Sequence, residues 1–189
     1  MSWYDKILKG KPGDEEPSFR IEENANLKWI ANQTVINCYQ LIEDHRIIGS
    51  LVFTKNSRRI ADGKVYGLEF IIKSHWFFRN KILIQQSGSL KKCTMIITDL
   101  HKSGMIEFGN KECLFWNCLN CLEHEWAFSN KRNRKLIVFK PVTSFYKSGY
   151  FVKIKSKEFD KLSLAVLLLI GIYNLLNLKE DVGITSAFF

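Results

Sequence analysis

From Leu162 to Leu178 the chain runs for seventeen residues without a charge, bracketed by Lys161 and Lys179. Leu and Ala dominate, β-branched residues are a minority and the run exceeds any ordinary strand, so the segment is predicted to be a helix over 160–178 with Asp160 as its N-cap. It is apolar nearly all round. No face of such a helix can be left in water without exposing leucine, so protein or lipid must enclose it. At 1.5 Å per residue the run is about 26 Å long, short of the ~30 Å hydrocarbon core of a bilayer. Ser163, Asn174 and Asn177 fall along one narrow stripe, as they would if they met partners inside a protein. A buried core helix and a carboxy-terminal membrane anchor both satisfy these facts.

What precedes the helix decides what could enclose it. With 46% hydrophobic and 13% aromatic residues in 189, the chain has enough apolar material for one core. Between Leu27 and the helix it breaks into short runs rich in Val, Ile, Phe, Tyr, Trp and Thr, the pattern of antiparallel strands. These are expected at about 27–31, 34–43, 46–54, 64–73, 75–79, 81–86, 91–99, 104–109, 112–118, 121–129, 135–140 and 149–156, roughly a dozen. Glu43-Asp44-His45-Arg46, Ala61-Asp62-Gly63-Lys64, His101-Lys102-Ser103-Gly104 and Gly109-Asn110-Lys111 carry residues that tolerate positive φ and read as hairpin links. Residues 1–26 are expected to be a mobile or loosely attached polar leader, 27–181 the folded domain and 182–189 a tail. The class is mainly β.

A dozen antiparallel strands followed by one very hydrophobic terminal helix resembles the tubby-like superfamily, which includes tubby carboxy-terminal domains, LURP-one-related proteins and phospholipid scramblases. The resemblance covers about 27–180. Locally it is carried by the Tyr39-to-Phe53 hairpin with Gly49 in its second strand, by Asp62-Gly63, and by Leu164-Ala165-Val166-Leu167-Leu168-Leu169-Ile170-Gly171. It implies that the strands close into a barrel and that Leu162 to Leu178 threads its interior, which would remove every sheet edge and fill the cavity. The chain has no Asp-x-Asp calcium loop like that proposed for scramblases, and no paired Lys/Arg that align with the phosphoinositide-holding residues of tubby domains. Neither activity is carried over.

Charge points to a surface rather than a reaction. The formal net charge is +9. Between Ser129 and Lys157 stand Lys131, Arg132, Arg134, Lys135, Lys140, Lys147, Lys153, Lys155 and Lys157, with no acidic residue among them. In Phe151 to Lys157 the pattern alternates, Val152 and Ile154 on one face and Lys153, Lys155 and Lys157 on the other. The candidate anion- or lipid-binding residues are therefore Lys131, Arg132, Arg134, Lys135, Lys153, Lys155 and Lys157, with Trp126 or Phe145 adding interfacial contact. The expected partner is anionic membrane lipid or an acidic protein surface. Lys147-Ser-Gly-Tyr-Phe-Val-Lys-Ile154 is only a partial echo of a base-stacking RNA-binding strand: it lacks the terminal aromatic and the alternating helices of that fold.

No residue set spells out catalysis. The four histidines are scattered, there is no nucleophile elbow, Phe128 stands where a second zinc-protease histidine would be, and no Gly-rich phosphate loop is present. Cys113, Cys118, Cys121 and His124 have ligand chemistry suited to zinc, but they sit in the apolar stretch around Leu114-Phe115-Trp116, which reads as buried thiols. Five cysteines, an odd number, and a start without the apolar core of a signal peptide fit a reducing, cytoplasmic setting. The expectation is a monomeric, non-enzymatic binding domain without metal or cofactor, peripheral to the inner face of a membrane. The alternatives are a tail-anchored protein with a cytoplasmic β-domain and an RNA-binding module.

Overall fold

The computed structural model describes residues 26–54, 57–74, 81–89, 92–98, 103–108, 113–120, 122, 124–142, 149–156 and 159–181. Its strands are β1 (Leu27–Ala31), β2 (Cys38–Glu43), β3 (Arg46–Thr54), β4 (Ser57–Val65), β5 (Leu68–Ser74), β6 (Lys81–Gln86), β7 (Lys92–Thr98), β8 (Ser103–Glu107), β9 (Cys113–Asn120), β10 (Glu125–Ser129), β11 (Lys135–Pro141) and β12 (Gly149–Ile154). One helix follows, α1 (Lys161–Asp181). Each strand pairs antiparallel with the next in sequence, and β12 returns to pair with β1, from Leu27 opposite Val152 to Ile30 opposite Gly149. The sheet is a closed twelve-strand barrel.

The helix lies inside it. Every residue from Leu164 to Leu176 is buried. On one side, a Cβ added to Gly63 of β4 would stand 2.8 Å from Leu169, and the Tyr173 hydroxyl donates to the Arg59 carbonyl at 2.8 Å while its ring stacks on Phe53. On the other, Gly171 faces Phe128 of β10 and Phe139 of β11. Strands β4 and β10–β11 are half a circuit apart, so α1 is held from opposite walls. Geometry explains the fit. Twelve strands about 4.8 Å apart and tilted about 40° close on a circle roughly 24 Å across. An α-helix with its side chains is about 10–12 Å wide, leaving one layer of inward strand side chains all round. Trp29, Leu41, Leu51, Phe70, Ile72, Ile84, Met95 and Trp116 supply that layer. The apolar run is thus enclosed by protein, and the anchor alternative loses the exposed hydrophobic surface that motivated it.

The strand expectation needs two corrections. Ala61-Asp62-Gly63-Lys64 is not a turn: it is the middle of β4, paired with β3 on one side and β5 on the other. The turn falls at Tyr66-Gly67, both at positive φ (51° and 80°), beyond the stronger-looking Asp62-Gly63 signal and separated from it by Lys64-Val65. Gly63 serves packing instead, because any side chain there would meet Leu169. The strand expected at 75–79 lies outside the described residues, as do the Gly109-Asn110-Lys111 link, the leader up to residue 25 and the tail 182–189. Ser103 and Gly104, read as part of a turn, open β8. The Asp44-His45 turn is as expected, with φ of 42° and 72°.

Asp160 caps α1. Its carboxylate accepts from the Ser163 amide and hydroxyl, each at 2.8 Å. Burial alone would raise its pKa, but these bonds outweigh it and the carboxyl is held below its usual value. The polar stripe is therefore split by role. Ser163 belongs to the cap, whereas the Asn174 amide nitrogen is buried with no hydrogen-bond partner among the described residues. The main polar tether of the helix to the wall is Tyr173, which the stripe did not include.

Two outcomes follow from this packing. Gly171→Ala should destabilise by about 1–2 kcal/mol in thermal or urea unfolding, although Ala is the better helix former by ~1 kcal/mol. The new Cβ would sit 2.5 Å from Phe139 Cζ, and that ring is boxed in by Trp116 and Phe128. An unchanged or raised midpoint would mean the wall yields freely there. Asp160→Ala should cost about 1 kcal/mol at neutral pH. Because the folded carboxyl titrates below its unfolded value, its contribution is present above the ordinary carboxylate range and fades as pH falls through the lowered value. The wild-type and Asp160→Ala stabilities should converge in acid.

Candidate functional site

The basic residues gather because β11 and β12 are neighbours. Ile137 pairs with Ile154, Val138 with Lys153 and Lys140 with Phe151, and the Lys155 amide donates to the Leu136 carbonyl at 2.7 Å. Lys153 and Lys155 are exposed on the outer face, and Val152 and Ile154 are buried inward, as the alternation required. At the rim beyond Lys155, the β10–β11 link carries Lys131, Arg132 and Arg134, all exposed. Asn130 shapes this link: its side-chain oxygen accepts from the amides of Arg132 and Arg134, both at 3.0 Å, and Asn133 adopts positive φ (59°). The cationic side chains are thus splayed outward from a stiff turn. Lys135 opens β11 and is also exposed. Lys157 lies outside the described residues.

A β-bulge orients the top of this band. The β10–β11 register slips between Phe128, opposite Ile137, and Ser129, opposite Lys135. Two consecutive residues, Leu136 and Ile137, thereby both join the hydrophobic core, and Lys135 is left at the surface beside Ser129.

Closure of the barrel adds residues that the chain order hides. Lys28 of β1 is directly opposite Phe151 of β12, and Phe151 is opposite Lys140 of β11. Phe151 is 50% exposed, so a large aromatic ring stands at the surface in a row between two lysines, with Lys153 two residues along. Lys140 is also held by Glu125 at 3.1 Å, the one acidic group of the described residues seen paired within this face. Lys28 precedes the start of the basic segment at Ser129 by about 100 residues and no local pattern marks it. Phe151 was legible as an outward position from the alternation with Val152. Of the two aromatic residues expected to flank the face, Trp126 does not serve. Trp126 points inward and stacks on Trp116 at 5.4 Å, and Phe145 lies outside the described residues.

The cysteine–histidine set does not converge. Cys113 and Cys118 are five apart on β9, so they face opposite sides of the sheet about 17 Å apart, too far to share one zinc ion at ~2.3 Å per sulfur. His124 is exposed in the β9–β10 link, and Cys121 lies outside the described residues. Cys93 on β7 has its Sγ 3.2 Å from the Glu107 carbonyl, and burial pushes its pKa up to about 11, with Glu107 adding to the rise. Burial likewise raises the Cys38 thiol and the Tyr66 and Tyr150 hydroxyls.

Fold and surface together define a class: a closed antiparallel barrel filled by its own carboxy-terminal helix, with one basic outer face. Comparison with known proteins takes this no further, since no protein-family model, curated protein or solved structure matches the chain.

At pH 8 only on the order of one Cys93 in a thousand should be thiolate, so alkylation followed by peptide mass spectrometry should leave it unmodified until the pH nears 11. Rapid labelling at pH 8 would show that the site opens.

Proposed function

We propose that this protein is a non-enzymatic, tubby-like domain that binds anionic phospholipid surfaces through the outer face of β12, β11 and β1. One observation carries the reading: a half-exposed Phe151 surrounded by Lys28, Lys140 and Lys153, with Lys155 and the 131–135 cations extending the band to the rim. Ile36, Ile47 and Leu122 are more exposed, but among the exposed large hydrophobics of the described residues Phe151 is the aromatic one and it stands among cations. An anionic bilayer rewards both parts, since each Lys or Arg near the surface adds ~1 kcal/mol and an aromatic ring settles at the headgroup level. The tubby-like assignment rests on the closed twelve-strand barrel with its apolar carboxy-terminal helix. The cation band alone would suit any polyanion, RNA and acidic proteins included; base stacking by such a strand uses two or three exposed rings, and with Tyr150 buried the single exposed Phe151 favours the lipid surface.

Sedimentation with phosphatidylcholine–phosphatidylserine vesicles tests this. Binding should exceed that to pure phosphatidylcholine and weaken as salt rises. Lys28→Gln should weaken it about fivefold, the loss of one charge contact. Phe151→Ser should weaken vesicle binding by about tenfold yet leave heparin binding unchanged, because only a bilayer offers an apolar layer beneath its charge. Equal binding to neutral and anionic vesicles at low salt would exclude the proposal.

A further inference from the structure

Leu122 and Ile36 are 93% and 88% exposed, the two least covered large hydrophobic side chains among the described residues. Aliphatics on outward strand positions, such as Ile60, Ile71 and Ile96, are less than half exposed, and single residues of that kind are ordinary on a protein surface. Leu122 and Ile36 differ in standing at the tips of links. In the β1–β2 link the Asn32 side-chain oxygen accepts from the Thr34 amide and hydroxyl, both at 2.8 Å, and from the Val35 amide at 3.0 Å. The Asn32 amide donates to the Cys38 carbonyl at 2.8 Å, closing the base of the link, and Asn37 takes positive φ (59°). In the β9–β10 link the Asn120 side-chain oxygen accepts from the Leu122 amide at 3.1 Å, and His124 takes positive φ (52°). Each link is thus held by an asparagine bonded to its backbone, while the aliphatic side chain is left in solvent.

Both links open from one rim, where β1 ends and β12 begins. Between them lie β10, β11, β12 and β1, and the outer faces of the last three carry the basic band. The row Lys28, Phe151, Lys140 runs on to Glu125, ion-paired with Lys140 at 3.1 Å, and to Asn120 opposite Glu125. Leu122 therefore stands two residues past the end of that row. On the other flank, β1 carries Lys28 and ends at Ala31, where the link bearing Ile36 begins. Four strand spacings in a ring of twelve set the two links roughly 20 Å apart.

We infer that Leu122 and Ile36, the latter with half-exposed Val35 beside it, are two apolar feet that enter an anionic bilayer on either side of the basic band. The domain then docks with this rim tipped into the membrane and Phe151 between the feet. The inference rests on the lipid-surface reading above and adds to it an orientation and an apolar part of the contact. Continuity selects the occupant: the feet bound a face on which cations and an exposed ring already stand together. Asn32-Gln33-Thr34-Val35-Ile36-Asn37 carries no charge, so its tip can pass between headgroups without taking a charge out of water. The two parts of the contact differ in range. Charge attracts at a distance and fades with salt, whereas aliphatic insertion acts only on contact and survives salt.

The test uses the full chain and phosphatidylcholine–phosphatidylserine vesicles. Ile36→Ser and Leu122→Ser should each weaken sedimentation by about tenfold, the loss of one buried aliphatic side chain. That loss should persist at raised salt, where the effect of Lys28→Gln fades. Because both side chains lie in solvent in the free protein, the unfolding midpoint should not move. Ile96→Ser, on β7 across the ring from β1, should leave binding unchanged. Insertion is read directly in Ile36→Trp and Leu122→Trp: their emission beyond that of the wild type should be quenched by vesicles with brominated acyl chains, and that of Ile96→Trp should not. Full-affinity binding by both serine variants, with neither tip quenched, would overturn the inference and leave the band as the whole contact. Quenching at one tip alone would overturn the two-footed docking. Self-association that the serine variants abolish, with the tips unquenched, would also overturn it and assign the tips to a second copy of the chain. A wild-type chain that fails to bind anionic vesicles at all would remove the lipid reading and this inference together.

Discussion

An apolar helix that cannot face water is what the rest of this molecule is organised around. Leu164 to Leu176 is leucine-rich on every side, so partial cover, such as one sheet laid against it, would still leave a stripe of leucine exposed. Only a wall that goes all the way round will do, and an antiparallel sheet achieves this when its last strand returns to its first. The pairing of β12 with β1 is therefore the step on which enclosure depends. It also leaves no free sheet edge. The helix serves the wall in turn, since a twelve-strand barrel is too wide for strand side chains alone to fill. Gly63 and Gly171 mark where the two approach most closely, one in the wall and one in the helix, with Leu169 and Phe139 occupying the space a side chain would need.

The described inward positions pack around the helix, so the proposed binding function is placed on the outer face, whose chemistry is uneven. The ring pairing sets Lys28, Phe151 and Lys140 in a row across three strands, and a bulge at Leu136–Ile137 returns Lys135 to the surface at the head of the band. The stiff Asn130-centred link holds further cations at the rim. The adjoining β10–β11 surface is small and apolar at Ala127 and Val138, and both are buried.

Much of this was legible in the residues for local reasons. The helix could be read because charge disappears for seventeen residues, and β12 because Val152 and Ile154 alternate with lysines. The Asp44-His45 hairpin could be read because its two residues accept positive φ. Where local signals misled, a tertiary contact had overridden them. Asp62-Gly63 has turn chemistry, but the glycine is needed for Leu169 to lie against the wall, and the chain turns instead at Tyr66-Gly67. Trp126 was expected to add interfacial contact to the basic face, yet its ring completes the inner aromatic cluster with Trp116, Phe128 and Phe139.

The limits of local information are clearest at Lys28 and at Ala127. Residue types and their periods determine which segments are strands, which is the helix, and which strand faces are apolar, because these depend on neighbours a few positions away. They also place the positive charge in 129–157. Which strands become neighbours across the closure, and so which distant cation joins Phe151, is decided only when the sheet meets itself around α1. The same holds for burial: Ala127 and Val138 are outward by parity, and only the assembled chain shows them buried. The physical reason is that enclosure is a property of the whole ring, and no single segment contains it.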